Sequence, residues 1–292
     1  MVVEITDVTL RDGLQDEPLT LTPWARAEIA GALVAASVPR LEVASFVSTA
    51  RVPQMAGAEE LITLLPQAPS VTYTALSLNL RGAERAAETT LGELNVVVSA
   101  SERHSVENAG RSSAQAVAEI AQVVQRFGAR MKISAGVATA FSSPFEPDGR
   151  VPEATVIQLV ASLVDLGLTR IALADTMGTA APEHVEAIMR RVLSEFPEVT
   201  FMLHLHDAEG QALETVGRAV ELGIRHFDSA LAGLGGCPFA PGAHGNLATE
   251  RLVGYLHRQG IQTGIDEDLL QAAVLKLREQ LQLGSPLPAS LP

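Results

Sequence analysis

Two histidines stand two residues apart in the stretch HLHD, as His204 and His206. Residues two apart on a strand project to one face, so this pair can offer two imidazoles to a single ion. Two hydrogen-bonded core histidines would show the same spacing, so the pair counts as a ligand set only if other donors join it. Asp12, in Arg11-Asp12-Gly13, is the leading carboxylate. Asp-Gly also favours turns, and a plain turn is the competing reading of those residues. Two imidazoles, a carboxylate and an amide oxygen would make a mixed nitrogen and oxygen site with no thiolate. Such a site suits Mg²⁺ or Mn²⁺ with positions left open for substrate and water, and it also resembles a non-haem iron triad.

A second constellation surrounds the first. Glu42 lies mid-strand in the apolar run LEVA, where an unpaired interior carboxylate would be costly. Arg11, on the neighbouring first strand, is its expected partner, and Glu42 serves either the chemistry or the placing of that guanidinium. Cys237, the single cysteine of the chain, follows Gly233-Leu234-Gly235-Gly236. Glycines this dense form no regular element, so the segment reads as a loop, and without a Lys-Ser/Thr it is not a P-loop. A lone cysteine is commonly an inert small hydrophobe. At a loop tip over an active site it acts instead as a proton donor or nucleophile. One cysteine excludes an intrachain disulfide, which fits a reducing compartment.

The elements that must position these residues alternate along the chain. Eight short apolar, β-rich runs are predicted at 3–10, 40–46, 71–78, 94–100, 131–137, 170–174, 200–206 and 226–231. Amphipathic stretches lie between them, notably 23–36, 112–127, 152–166, 182–196 and 208–222, and prolines at 23, 152 and 182 suit a first helical turn. Strands joined by helix-length crossovers form a parallel sheet, and eight of them close an α/β, (β/α)₈ TIM barrel; an open doubly wound sheet is the alternative. Barrel enzymes gather their chemistry at the C-terminal ends of the strands. TLRDG, DTMG, HLHD and GLGGCPFAPGAHGN all fall at such ends. Two further helices, 247–259 and 266–281, follow the eighth strand. The organisation expected is one catalytic barrel domain over 1–283 and a loose Pro/Ser-rich tail over 284–292.

The net charge of −13 argues against nucleic-acid binding, since such a surface repels a phosphate backbone. A local cluster or a metal can still reverse the sign inside one cleft for a small anion. No apolar run approaches 18 residues and no basic leader opens the chain, so a cytoplasmic protein away from membranes is expected.

Together the motifs TLRDGLQDE (9–17), LEVASFVS (41–48), VPQM (52–55), ADTMGTA (174–180), HLHDAEGQAL (204–213) and DSALAGLGGCPFAPGAHGNLATE (228–250) resemble the 3-hydroxy-3-methylglutaryl-CoA lyase family. That family sits within a larger group of barrel metallolyases and Claisen-type synthases. The resemblance implies metal ligands at Asp12, His204, His206 and Asn246. It places the arginine beside the metal at Arg11 and the loop cysteine at Cys237. It also puts functional carboxylates at Glu42, Asp175 and Glu250. The implied reaction is a metal-dependent retro-Claisen cleavage of an acyl-CoA to acetyl-CoA and a keto acid, acetoacetate for the namesake substrate. A homodimer and a place in leucine degradation and ketone-body formation come with the same resemblance. The chain departs from the family pattern at Glu107 and Ser134, where a lysine and an arginine are usual, and at Ser142-Ser143-Pro144, in place of Gly-Cys-Pro. Those departures bear on substrate identity. A relative cleaving another branched 3-hydroxy-acyl-CoA and an isopropylmalate-type synthase are the alternatives.

Overall fold

The computed structural model describes residues 1–236 and 245–281. Eight parallel strands close into a barrel: β1 (Glu4–Asp7), β2 (Arg40–Ser45), β3 (Thr72–Ser77), β4 (Glu93–Ser99), β5 (Lys132–Ala138), β6 (Arg170–Asp175), β7 (Thr200–Leu205) and β8 (His226–Ser229). Each pairs with the next and β8 returns to β1. Around them run α1 (Pro23–Ala35), α2 (Ala58–Leu64), α3 (Leu80–Ala87), α4 (Glu102–Ala109), α5 (Ser113–Phe127), α6 (Glu153–Asp165), α7 (Pro182–Glu195), α8 (Ala212–Glu221), α9 (Thr249–Arg258) and α10 (Glu267–Gln280). The chain is therefore a (β/α)₈ barrel with extra C-terminal helices, as its strand and helix patterns predict. The tail over 284–292 lies outside the described residues.

Two local differences from the sequence expectation matter. Pro152 occupies the N-cap of α6 rather than its first turn, whereas Pro23 and Pro182 open α1 and α7. More consequentially, β1 stops at Asp7, and Thr9–Gly13 winds into a single π-helical turn. Arg11 and Asp12 thus sit on a turn above β1, not on the strand itself. π turns are rare and concentrate at functional sites, because the widened ring re-aims the side chains it carries.

The helices bury one stripe against the sheet. Ile29 and Leu33 of α1 and Leu270, Ala273 and Leu277 of α10 are nearly or wholly inaccessible. α10 packs on both α1 and α9, joining the end of the chain to its beginning. Inside the barrel, period-two alternation aims every second residue at the axis. The first residues of five strands form its floor: Glu4, Arg40, Glu93, Arg170 and His226. Arg40 Nη2 donates to Glu93 Oε1 at 2.6 Å, and Glu4 Oε1 lies 2.8 Å from Arg170 Nη2 and 3.0 Å from His226 Nδ1.

Candidate active site

At the opposite end of the barrel, the ends of β1, β7 and β8 bring the sequence's chemistry-bearing residues together. His204 lies within β7 and His206 directly beyond it, so their rings share the interior face. Their Nε2 atoms lie 3.2 Å apart. Asp12 Oδ2 reaches within 3.8 Å of His204 Nε2 and 3.7 Å of His206 Nε2. Three donors from two distant parts of the chain therefore surround one point, all of them buried. Asn246 arrives by backbone pairing: it forms an antiparallel bridge with His206, and Leu247 N donates to Leu205 O at 2.8 Å. Its amide nitrogen donates to Asp12 Oδ2 and to Leu234 O, each at 2.8 Å. Its Oδ1 is buried without a hydrogen-bond partner among the described residues.

Two glycines make this convergence possible. Gly235 has φ +103°, and a Cβ there would lie 2.5 Å from Asn246 Nδ2 and 3.0 Å from Asp12 O. Gly178, with φ +66°, presses against the backbone of His206 and Asp207, where a Cβ would come within 2.7 Å. Only glycine combines that backbone with that proximity.

The electrostatics favour a cation. Arg11 pairs with both Asp12 and Glu42, as predicted for Glu42. Burial, the largest single influence on Asp12, would raise its pKa. The Arg11 guanidinium and the two imidazoles outweigh burial and hold that carboxyl well below the usual range. Asp12 is thus an ionised acceptor at any physiological pH. His204 Nδ1 lies 3.2 Å from Asp228 Oδ2. Burial of His204 disfavours its charged form, but Asp228 and Asp12 prevail and its pKa is raised. A carboxylate behind a ligating histidine fixes its tautomer and increases its donor strength. The cluster sets one guanidinium against three carboxylates (Asp12, Glu42 and Asp228), a deficit that one divalent ion would neutralise. Asp228 Oδ1, like Asn246 Oδ1, is buried without a hydrogen-bond partner among the described residues. The residues therefore fit Mg²⁺ or Mn²⁺, with hard oxygen and imidazole donors and, among the described residues, no thiolate.

A cavity of about 860 Å³ opens beside this cluster. Asn95, Val97, Gly136, Ala138, Ala172 and Ala174 of β4–β6 give it a small, uncharged inner wall. Arg51, Pro53 and Gln54 lie at the β2–α2 turn, and Gly236 marks its other edge. Asn95 Nδ2 donates to Glu42 Oε1 at 3.1 Å, and Ser134 Oγ lies 3.4 Å from Asn95 Oδ1.

Other sequence candidates go elsewhere. Asp175, expected as a functional carboxylate and not as a ligand, adjoins His206, whose N donates to Asp175 O at 3.3 Å; its carboxylate accepts from Ser142 Oγ at 2.7 Å and Ala180 N at 3.0 Å, tying the loop after β5 to the loop after β6. Burial raises its pKa. Glu250 Oε2 accepts from Ala232 N at 3.1 Å, below the Gly-rich segment. Cys237 lies outside the described residues. Sequence reasoning missed Asp228, although a carboxylate in the short strand HFDS, in register with His204, was its signal. It also missed Asn95 and the buried Arg26.

Comparisons with known proteins agree with this geometry. The family model described as HMGL-like matches residues 2–275. The (R)-citramalyl-CoA lyase of Chloroflexus aurantiacus is 41% identical over 300 residues, covering 98% of this chain and 93% of that protein. A hydroxymethylglutaryl-CoA lyase of Bacillus subtilis is 35% identical over 98% of this chain and 95% of its own. Among solved structures, an HMG-CoA lyase from Acinetobacter baumannii in complex with coenzyme A and 3-methylmalate superposes with a TM-score of 0.93 at 39% identity. It covers 99% of this chain and 93% of its own.

Proposed function

We propose, on the premise that this chain belongs to the HMGL-like family of carbon–carbon lyases, that it cleaves a branched 3-hydroxy-acyl-CoA whose carboxylate sits on the carbinol carbon. The products are then acetyl-CoA and pyruvate, as from a citramalyl-CoA. The observation that carries the lyase reading is the meeting of Asp12, His204 and His206 beside Arg11 at the mouth of the cavity.

The reaction breaks the bond between the carbinol carbon and the thioester's α-carbon. The hydroxyl loses its proton, its electron pair forms the ketone, and the breaking bond's pair becomes the thioester enolate, which is finally protonated. A bound divalent ion would acidify and orient the hydroxyl. His204 and Asp12 are the two candidates for the base that takes the single hydroxyl proton. Arg11, fixed by Glu42 and Asp12, offers its guanidinium where enolate charge develops and needs no rearrangement to do so. Asn95 and Ser134 brace Glu42 from behind. Cys237 is assigned the proton that quenches the enolate.

The choice of substrate rests on charge. Among the described residues the β4–β6 wall carries no cation, Arg111 on the cavity lining is paired with Glu119, and Ser134 and Glu107 stand where the family pattern has arginine and lysine. A carboxylate on the carbinol carbon needs no such partner, because it can share one ion with the hydroxyl. A carboxylate one methylene farther out, as in 3-hydroxy-3-methylglutaryl-CoA, would meet that neutral wall. Support comes also from the citramalyl-CoA lyase relative and from 3-methylmalate, a 2-hydroxy acid, in a similar solved structure. The 35% identity to hydroxymethylglutaryl-CoA lyases keeps that substrate, with its ketone-body product, as the second reading. At the outer end, Arg51 makes no ion pair among the described residues and is assigned the CoA phosphates.

The test is acetyl-CoA release with Mg²⁺ or Mn²⁺ from both citramalyl-CoA enantiomers and from 3-hydroxy-3-methylglutaryl-CoA. A citramalyl-CoA should give the highest kcat/KM, and the Arg51→Gln variant should raise KM for the CoA thioester but not for its pantetheine counterpart. Turnover of none of them ends the lyase reading. A preference for the glutaryl thioester ends the substrate assignment alone.

A further inference from the structure

We infer that Arg26 is a positioning residue for this site, clamping the turn that carries Arg11 and Asp12 to the strand that carries Glu42; this builds on the metallolyase reading above. Arg26 is the bulkiest side chain that the described fold buries completely. It has no carboxylate partner among the described residues, and it sits near the positive end of α1, where a cation is disfavoured. Burial pushes its pKa down to about 10, so it remains charged at neutral pH. Burying a charge with no opposite charge beside it is costly, so stability alone gives little reason to keep one here.

What Arg26 holds supplies the reason. Its Nη2 donates to Val43 O at 2.7 Å and to Leu10 O at 3.2 Å. Leu10 directly precedes Arg11, and Val43 directly follows Glu42. One nitrogen therefore bridges the two backbones whose side chains form the Arg11–Glu42 pair. Both backbones are irregular at those points. Leu10 lies in the π turn, and the β2–β3 register slips between Glu42 and Ala44, leaving Val43 as the extra residue of a bulge. Bulges and π turns re-aim side chains, and each interrupts the ladder that would otherwise occupy its carbonyls. Arg26 takes up one carbonyl from each irregularity and fixes their spacing. Its Nη1 faces Gln54 O and Ala56 O at 3.5 and 3.4 Å, which extends the clamp to the cavity-lining turn after β2. The rigid fork of a guanidinium can serve these segments together, whereas the single ammonium of lysine cannot.

The experiment measures equilibrium Mn²⁺ affinity by water-proton relaxation without substrate, thermal unfolding, and steady-state kinetics for Arg26→Met and Arg26→Lys. The expected result is cooperative unfolding in both, with a Mn²⁺ Kd raised about tenfold and kcat lowered about 10- to 100-fold, the scale seen when support behind a metal ligand is removed. KM should change less than about threefold, because the thioester contacts stay in place. A folded Arg26→Met variant that keeps the parent's Mn²⁺ Kd within twofold overturns the inference. Loss of cooperative folding in both variants also overturns it, by making Arg26 an element of the fold alone. A parent protein that binds no Mn²⁺ instead overturns the metallolyase reading on which the inference rests.

Discussion

The floor and the mouth of this barrel are both charged and both belong to the one ring of strands, the floor half-buried and the mouth buried, yet they are finished differently. At the floor, Arg40 and Arg170 answer Glu4 and Glu93, and the atoms without a hydrogen bond among the described residues are donors, the Nε groups of the two arginines, of which that of Arg40 still lies 3.6 Å from Glu4 Oε1. In the cluster around His204 and His206 at the mouth, one guanidinium answers three carboxylates, and among the described residues that cluster leaves two acceptors unpartnered, Asp228 Oδ1 and Asn246 Oδ1. At the floor the cations and carboxylates match one another within the protein. Surplus acceptors around two imidazoles call for a cation. Charge alone is therefore a poor guide to a site, and the sign of the unfinished hydrogen bonding is a better one.

The contrast predicts that damage at the mouth removes activity while damage at the floor removes stability. The largest effect is expected from the double variant His204→Ala/His206→Ala. It should bind no Mn²⁺ by calorimetry and lose about a thousandfold or more in kcat, the several kcal/mol that an ion supplies to developing charge. Its unfolding temperature without added metal should stay near the parent's. Retained turnover would dissolve the distinction between the two ends. Next comes Arg40→Met at the floor, which strands Glu93 without its cation. Chemical denaturation should show a loss of about 3 kcal/mol, the cost of breaking a buried pair, with kcat unchanged. A drop in kcat with stability intact would mean that the floor communicates with the mouth.

The smallest effect is a pH dependence. Burial would raise the pKa of Glu4, but hydrogen bonds from His226 and Arg170 prevail and set it at about 2, below the ordinary value of 4.5. A carboxyl depressed in the folded state contributes stability that is complete above pH 4.5 and is lost as pH falls towards 2. Glu4→Gln should therefore flatten the stability profile between those values and leave the pH dependence of turnover untouched. An unaltered acid limb would show that the network at the floor carries little energy.

Much of this was legible in the sequence. The eight strands stood out because parallel strands buried on both faces read as short apolar runs, and the His204/His206 spacing survived intact because β7 is regular there. Glu42 announced its need for a cation by being a carboxylate in an apolar strand. The illegible parts depend on irregular backbone. Val8 and Leu10 continue the apolar alternation of β1, so the π turn was hidden inside an apparent strand. Nothing in LEVA marks Val43 as a bulge. Arg26 lies in a helix where a lone arginine ordinarily faces water, so its burial follows from the packing of α1 over those two irregularities and from no local pattern.

Asp12 and Asn246 stand 234 residues apart in the chain yet share a hydrogen bond. On the ligand set proposed above, a growing polypeptide has no complete grip on an ion until Asn246 has been made and the first strand has met the eighth. Ion capture is thereby a readout of ring closure.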